Sequence, residues 1–502
     1  MMLRASRIIL SLALTAPWFA APGICSNKIR TVLIPNSSAI VSFRILFNVG
    51  SAADPKGKEG VAALTAAMLA KGGSRKMTYE QIAQTLYPTA TSFKWQVDKE
   101  MTVFMGETHL DNLQKCYQIM ADMLLAPGWR EDDFTRLKAE AAEFLKVTLR
   151  LNNDEELGKE ALYNFIYEGH VYGHHNLGTI ESLQALTLED AKDFYRNNYT
   201  LANLVIGLAG GYPKTFPNKV KSDFAASLPA GKAVKVDLPQ PAKIEGLEMR
   251  VIKKDTRGVA ISFGFPIQAT RADADWPALF VVQMYLGQHR STNSYLLQAT
   301  RQKRGLNYGT YAYIEYFPRG MFQFHVDPNL ARRQQIFQVW VRPVEPQNGL
   351  FTLRLTLYEL KKLVDNGMSQ EAFETTRQFL ANFISALTDT QDAQLGYALD
   401  SQFYGIAGFN EYVRDSLSRL KLEDVNRAIK RYLQADDMKI VVVAKDAEGF
   451  RDAVVANQPS PITYPAPMSK EILEEDKIVE MYRLVFKPSQ VGIAPAEQMF
   501  RK

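Results

Sequence analysis

The sequence predicts an α+β fold built from two homologous domains, each a mixed sheet covered by helices. Three observations carry this expectation. Strands and helices come in runs rather than in strict alternation. A proline- and lysine-rich stretch from Gly211 to Gly246 interrupts the pattern near the middle. The second half then repeats the punctuation of the first at a nearly constant offset. With 502 residues, 46% hydrophobic and 23% charged, the chain has material for two large cores. Its 30 glycines and 23 prolines are ordinary, which excludes collagen-like and wholly disordered chains. A net charge of +5, spread along the sequence, supplies no clustered basic face for nucleic acid. Two cysteines, Cys25 and Cys116, cannot make a disulfide framework or a thiolate zinc site.

The amino terminus reads as a leader. Arg4 and Arg7 precede the apolar run Ile8 to Leu14, followed by Pro17, Ala20, Ala21 and Gly23. A basic start, a short apolar core and a small-residue exit make a secretory signal peptide over residues 1–25, and so an exported, periplasmic protein. That run is shorter than the ~20 residues that span a bilayer, and no later stretch approaches the length, so no membrane span is expected. Ile24 before Cys25 makes lipid attachment there a poor fit. Without Cys25, Cys116 stands alone as a small buried hydrophobe.

Along the chain, Thr31 to Ile34, a Pro35-Asn-Ser-Ser turn and Ile40 to Phe47 read as a strand hairpin. Gly60 to Leu69, alanine-rich and free of breakers, reads as a helix. Helices recur at Thr78–Leu86, His109–Leu125, Glu131–Leu151, Glu156–Tyr167 and Leu188–Tyr195, with strands at Thr102–Met105 and Ala202–Ala209. After the Gly211–Gly246 stretch, Met249 to Ile252 and Val259 to Phe265 replay the opening hairpin. The block Leu186-Thr-Leu-Glu-Asp190, then Tyr199 and Leu204-Val-Ile206, meets Leu420-Lys-Leu-Glu-Asp424, Tyr432 and Ile440-Val-Val-Val443. In each half Glu-Asp opens a helix with an acidic first turn and a strand follows. The expected organisation is residues 28–225 and 249–455 as duplicated domains, 226–248 as linker and 456–502 as an extension or strap.

Phe47 to Ala62, with Met68-Leu69 and Lys71-Gly72 beyond it, resembles the entry to the active-site helix of the M16 (pitrilysin/insulinase) metallopeptidases. The resemblance spans roughly residues 28 to 455. It includes the turn carrying Gly178, Thr179, Ser182 and Leu183, and the Leu-Thr-Leu-Glu-Asp block. It implies two domains of the M16 peptidase/LuxS-like type in a clam-shell arrangement. In that family the helix carries His-x-x-Glu-His: two imidazoles four apart converge on zinc, and the glutamate positions the attacking water. Here those positions are Ala63, Ala66 and Ala67, which offer a metal nothing. Glu143 is a candidate for the family's third, glutamate ligand, and one carboxylate does not hold catalytic zinc. The resemblance thus implies no cofactor in this chain, which alone is catalytically silent.

Gly169-His-Val-Tyr-Gly-His-His-Asn-Leu-Gly-Thr179 places His170, His174 and His175 close in sequence, a pattern open to metal binding. It resembles an M16 segment that is structural, and hydrogen-bonded loop histidines are the expectation. His109, His289 and His325 are scattered. In the second half, Tyr295 to Tyr308 resembles the M16 motif in which an arginine and a tyrosine seven apart flank a Gly-Leu-x-Tyr turn. On spacing alone, Arg301 reads as a charge at a helix C-terminus and Tyr308 as a half-buried strand residue. By resemblance, Arg301 and Tyr308 contact the peptide at the scissile bond and stabilise the oxyanion. Arg304 is a neighbouring cation that confuses the assignment.

The resemblance therefore implies a non-zinc-binding subunit of a heterodimeric exported peptidase. Arg301 and Tyr308 act in trans at the partner's zinc site, and the substrate is peptide. A non-catalytic scaffold is the alternative, as is a peptide-binding chamber without hydrolysis.

Overall fold

The computed structural model describes residues 29–320 and 323–502. The leader-like segment and Cys25 lie outside the described residues. Five strands form the first sheet: β1 (Arg30–Pro35), β2 (Ile40–Phe47), β3 (Ser92–Val97), β4 (Thr102–His109) and β5 (Leu204–Gly210), in the order β1-β5-β2-β4-β3. The second sheet holds β6 (Leu247–Lys253), β7 (Val259–Ile267), β8 (Thr310–Tyr313), β9 (Gln335–Val344), β10 (Met438–Ala444) and β11 (Val491–Pro495), in the order β11-β6-β10-β7-β9-β8. Removing β11 leaves the same order and the same sense of pairing in both sheets. The duplication read from the sequence is thus a duplication of topology.

The opening strands are not a hairpin. β1 runs parallel to β5 (Val32 opposite Gly207), and β2 runs antiparallel to it (Ile45 opposite Ile206), so β5 lies between them. All seven residues of β5 are buried, and a strand of that kind belongs inside a sheet, paired on both edges. The second half repeats the arrangement, with β10 between β6 and β7. The linker-like stretch also contains a helix, Phe216–Ser227, with Phe216, Val220 and Phe224 buried. Pro217 sits in its first turn, where a missing N–H costs nothing, so it does not break the helix.

The halves exchange helices. The Asp154–Ile166 helix, started by Asn153 accepting from the Glu156 N–H, belongs by sequence to the first half. It lies against β7, β9 and β10 of the second sheet. The Gln391–Tyr404 helix returns the arrangement, lying against β1, β2 and β5. Gly396 fits there because a Cβ would sit 2.4 Å from Pro328 and 3.0 Å from the Arg44 guanidinium carbon. Each sheet therefore buries one face with a helix supplied by the other half.

Charges at this seam are paired. Arg332, wholly buried, donates in bidentate fashion to Asp98 of the first half, with Nε to Oδ2 at 2.5 Å. It also donates to the Tyr163 hydroxyl and lies 3.8 Å above the Tyr316 ring. Arg44 grips Asp392 with two bonds, at 2.9 and 2.6 Å, and donates to Asn329. The carboxy-terminal run adds a strap: β11 extends the second sheet alongside β6, and the carbonyls of Phe500 and Arg501 then accept from Ile180 and Glu181 of the first half.

Replacing Arg332 with methionine leaves the buried Asp98 carboxylate without its cation, with Asn176 still donating to it, and should lower unfolding free energy by about 3–5 kcal/mol, read by urea denaturation. An unchanged midpoint would show that the pair does not hold the halves together.

Candidate functional site

The Val61–Lys71 helix begins at Gly60, whose left-handed φ of 96° turns the entry loop onto the helix. Asp54 starts the helix from a distance: the Gly60 and Ala62 N–H groups donate to its carboxylate at 2.6 and 2.9 Å. Gly60 packs so closely on Leu177 that a Cβ would lie 2.3 Å from the Leu177 carbonyl oxygen. These contacts explain why the entry loop and the Gly178-Thr179 turn go together in the sequence.

Ala63 and Ala67 project from this helix into a cavity of about 240 Å³. Its other walls are Gly60 and Leu64, then Trp95, Gln96 and Val97 of β3, Leu137, Glu140, Ala141 and Phe144 from the facing side, and Asn176, Leu177 and Leu183. Ala66 points the other way, into the core, with no exposed surface. Among the lining residues the polar side chains are one carboxylate, Glu140, the amides of Gln96 and Asn176 and the Trp95 indole. That carboxylate is already engaged by Arg136 at 2.8 Å and Lys71 at 3.5 Å. These donors do not fit zinc, which needs three or four nitrogen, sulfur or oxygen ligands. Glu143 is exposed and does not line the cavity, since the facing residues follow the helical repeat Leu137, Glu140, Ala141, Phe144. The carboxylate nearest the motif positions is therefore Glu140.

The three loop histidines diverge. His170 pairs with the Pro239 carbonyl at 2.9 Å, and His174 with Asp54 at 3.2 Å. His175 accepts from the Leu177 N–H at 3.0 Å and approaches Glu160 at 3.9 Å. Burial, with Lys99 and His174 adding positive charge, pulls His175 down to about 3, so it is neutral in the fold. Among the described residues, no group of three or more His, Cys, Asp or Glu side chains could hold a metal ion. Cys116 is free and buried.

Past β3 the small cavity opens into a cleft of about 820 Å³ between the halves. One side is β3 with Arg44; the other carries Thr148, Asn153, Glu156 and Glu160, and the second half contributes Tyr316, Arg319 and Asp327. Glu160 accepts from the Tyr316 hydroxyl at 2.6 Å, and burial raises its pKa. β3 is absent from the sequence expectation, although Ser-Phe-Lys-Trp-Gln-Val alternates as a half-buried strand should. It is the element that joins the two spaces.

Arg301 and Tyr308 come together elsewhere, at the outer end of the second sheet just before β8. The Arg301 guanidinium lies 5.1 Å from the Tyr308 ring centroid and donates to the Tyr308 carbonyl at 3.3 Å. Arg342 flanks the same ring at 5.8 Å and pairs with Glu155 at 3.1 Å, which ties this corner to the exchanged helix. Tyr308 is 72% exposed, so it is not a half-buried strand residue, and neither member of the pair lines the cavity or the cleft. Arg304 is separate: it is buried and held by Asp476 and Glu475 of the Lys470–Glu480 helix at 2.8 and 2.7 Å.

The two halves thus share one sheet topology, and the first carries a cavity bordered by Ala63 and Ala67 at the head of its Val61–Lys71 helix. Comparison with known families agrees. The insulinase (peptidase family M16) model matches residues 30–179, and the peptidase M16 inactive domain model matches residues 185–380. The chain belongs to the M16 family. It is 21% identical to Non-peptidase homolog YmxG of Helicobacter pylori, over 80% of this chain and 88% of that one. It is 22% identical to Zinc protease PqqE of the same organism, over 81% and 89%. The crystal structure of a peptidase M16 inactive domain from Pseudomonas fluorescens superposes with a TM-score of 0.73 at 21% identity, covering 88% of this chain and 98% of that one.

After dialysis against zinc and desalting, elemental analysis should find no retained metal; one tightly held zinc per chain would overturn the fit argument. His175 should also make the fold acid-sensitive. Unfolded, it takes a proton near 6.5, whereas folded it resists until about 3, so its stabilising effect is complete above 6.5 and is lost toward acid. At pH 5 this group alone costs about 2 kcal/mol relative to pH 7. Urea denaturation of His175→Gln at both pH values should show a smaller acid loss by that amount.

Proposed function

We propose that this chain is the metal-free subunit of a two-chain, exported M16 peptidase. It presents Arg301 and Tyr308 to a zinc site built by a partner chain with His-x-x-Glu-His intact. The observation that supports this reading is the combination of a cavity without metal ligands at the motif positions with an Arg/Tyr corner exposed to a partner. A hydroxyl presented just before a strand can donate to the oxyanion that forms at a scissile carbonyl. A guanidinium beside it can fix a peptide carbonyl with two parallel donors. Glu155, through Arg342, braces the corner from behind.

The similarity to both a non-peptidase homolog and a zinc protease of one organism supports a division of labour between two M16 chains. The substrate class is unfolded peptide, and the compartment is the periplasm. The exposure of Tyr308 also favours a second reading, a scaffold in which the corner contacts a structural partner and no peptide is cleaved.

Co-expression with a zinc-bearing M16 chain of the same genome, followed by a peptide-cleavage assay, separates the two. The pair should cleave and each chain alone should not; a zinc-bearing chain equally active alone would favour the scaffold. In the active pair, Tyr308→Phe should lower turnover by ~10²-fold with unchanged melting. Arg301→Ala should mainly raise KM. Unaltered kinetics in both variants would remove the corner from the reaction.

A further inference from the structure

The Lys470–Glu480 helix of the carboxy-terminal extension reverses the usual amphipathic pattern. Its carboxylates point inward: Asp476 and Glu475 accept from the buried Arg304 at 2.8 and 2.7 Å, and Glu475 also pairs with Lys362 at 3.0 Å. Asp476 takes the Tyr464 hydroxyl as well, at 2.6 Å. Val479 is the apolar residue buried with them. Leu473 and Ile478 of the same helix are exposed, as are Met481 and Val485 just beyond it. A surface helix ordinarily buries its leucines and isoleucines and turns its acids to water.

These exposed residues form one strip. Leu473, Lys477 and Met481 follow at four-residue steps, and Ile478 stands one turn before Met481. Past the helix the side chains alternate, with Leu484 and Phe486 buried and Arg483, Val485 and Lys487 exposed. The fold holds the strip in place: the Glu480 carbonyl accepts from Arg354 at 2.6 Å, and the Leu484 N–H donates to Asn457 at 3.4 Å. Exposed leucines elsewhere, Leu110 and Leu151, stand apart in the sequence and are ordinary for a protein surface.

The charges decide what covers the strip. Lys470 pairs with Glu474 at 3.7 Å, and Glu471 sits in the first turn, where free N–H groups favour a carboxylate. Lys477, Arg483 and Lys487 make no ion pair among the described residues. Apolar side chains interleaved with unpaired cations match an anionic lipid surface, where hydrocarbon enters the headgroup boundary and cations meet phosphates. A second copy of the strip would set these cations against one another, so it does not complement itself. No helix among the described residues is long and apolar enough to cross a bilayer, so the contact is with the surface.

We propose that the strip from Leu473 to Lys487 is a membrane-contact face. It lays Leu473, Ile478, Met481 and Val485 into the interface of an anionic bilayer and brings Lys477, Arg483 and Lys487 to the phosphates. The attachment is reversible and spans nothing. This goes beyond the two-chain reading and does not rest on it, because it uses no residue of the cavity, the cleft or the Arg/Tyr corner.

The test is co-sedimentation of the purified chain with vesicles of phosphatidylglycerol and phosphatidylcholine in equal parts, beside vesicles of phosphatidylcholine alone. The anionic vesicles should be bound at least ~10-fold more tightly. Salt at about 1 M, where the screening length is ~3 Å, should erase that difference. Met481→Glu with Val485→Glu should weaken anionic-vesicle binding by at least ~10-fold at an unchanged melting temperature, since both side chains already face water. Lys477→Glu with Arg483→Glu should remove the preference for anionic vesicles, and decides the matter should the first variant fail to fold. Leu151→Glu, at an exposed leucine elsewhere, should change nothing. Wild type and variants share one amino terminus, so a difference between them reports this strip alone. No pelleting with anionic vesicles, or equal pelleting by wild type and both folded double variants, overturns the proposal. So does dimerisation without lipid, read by light scattering, that Met481→Glu with Val485→Glu abolishes, because the strip would then be an interface between copies.

Discussion

The Arg332–Asp98 pair is the constraint on which the rest of the structure depends. Two charges taken wholly out of water are costly unless each satisfies the other, and here a bidentate geometry, a tyrosine hydroxyl and an aromatic face complete the guanidinium's shell. The arrangement specifies how the halves meet. Asp98 sits at the β3–β4 turn and Arg332 just before β9, so the pair fixes the edge of the first sheet against the loop leading into the second. The cleft is the space left beside that fixed point, and its two walls keep their separation because the seam does.

The frame of the Val61–Lys71 helix is built independently of any metal ligand. Asp54 still caps the helix, and Gly60 and Gly178 still permit the close approach of the two loops. These features serve folding as much as catalysis. Ala63 and Ala67 border the cavity, so core packing does not by itself set the size of the side chains there. Ala66 differs, being buried against the helix layer, and a charged residue at that place would have to be accommodated by the core itself.

Much of this was legible from residues alone. The Leu-Thr-Leu-Glu-Asp block, repeated at fixed offset, announced the duplicated topology because capping and strand patterning are local properties. Long-range pairing was not legible. Nothing in Thr31–Ile34 and Ile40–Phe47 says that a strand more than 150 residues later comes between them, since a buried strand's partners are chosen by the whole sheet. Nor does local sequence reveal that the Asp154–Ile166 helix covers the other half's sheet. Pro217 misled because a helix tolerates proline in its first turn. Glu140 rather than Glu143 faces the cavity by the phase of one helix, a matter of 3.6 residues per turn that spacing in a motif only approximates.

The exchanged helices carry a kinetic implication. The first sheet has one face covered by Gln391–Tyr404, and the strap from β11 reaches Ile180 and Glu181 through Phe500 and Arg501 at the far end of the chain. During synthesis the leading two hundred residues must wait, with an apolar surface uncovered, while the remainder emerges. High contact order of this kind makes for slow maturation and exposure to aggregation or degradation in the interval. A cell making this protein therefore gains from keeping the nascent chain shielded until its distant segments arrive.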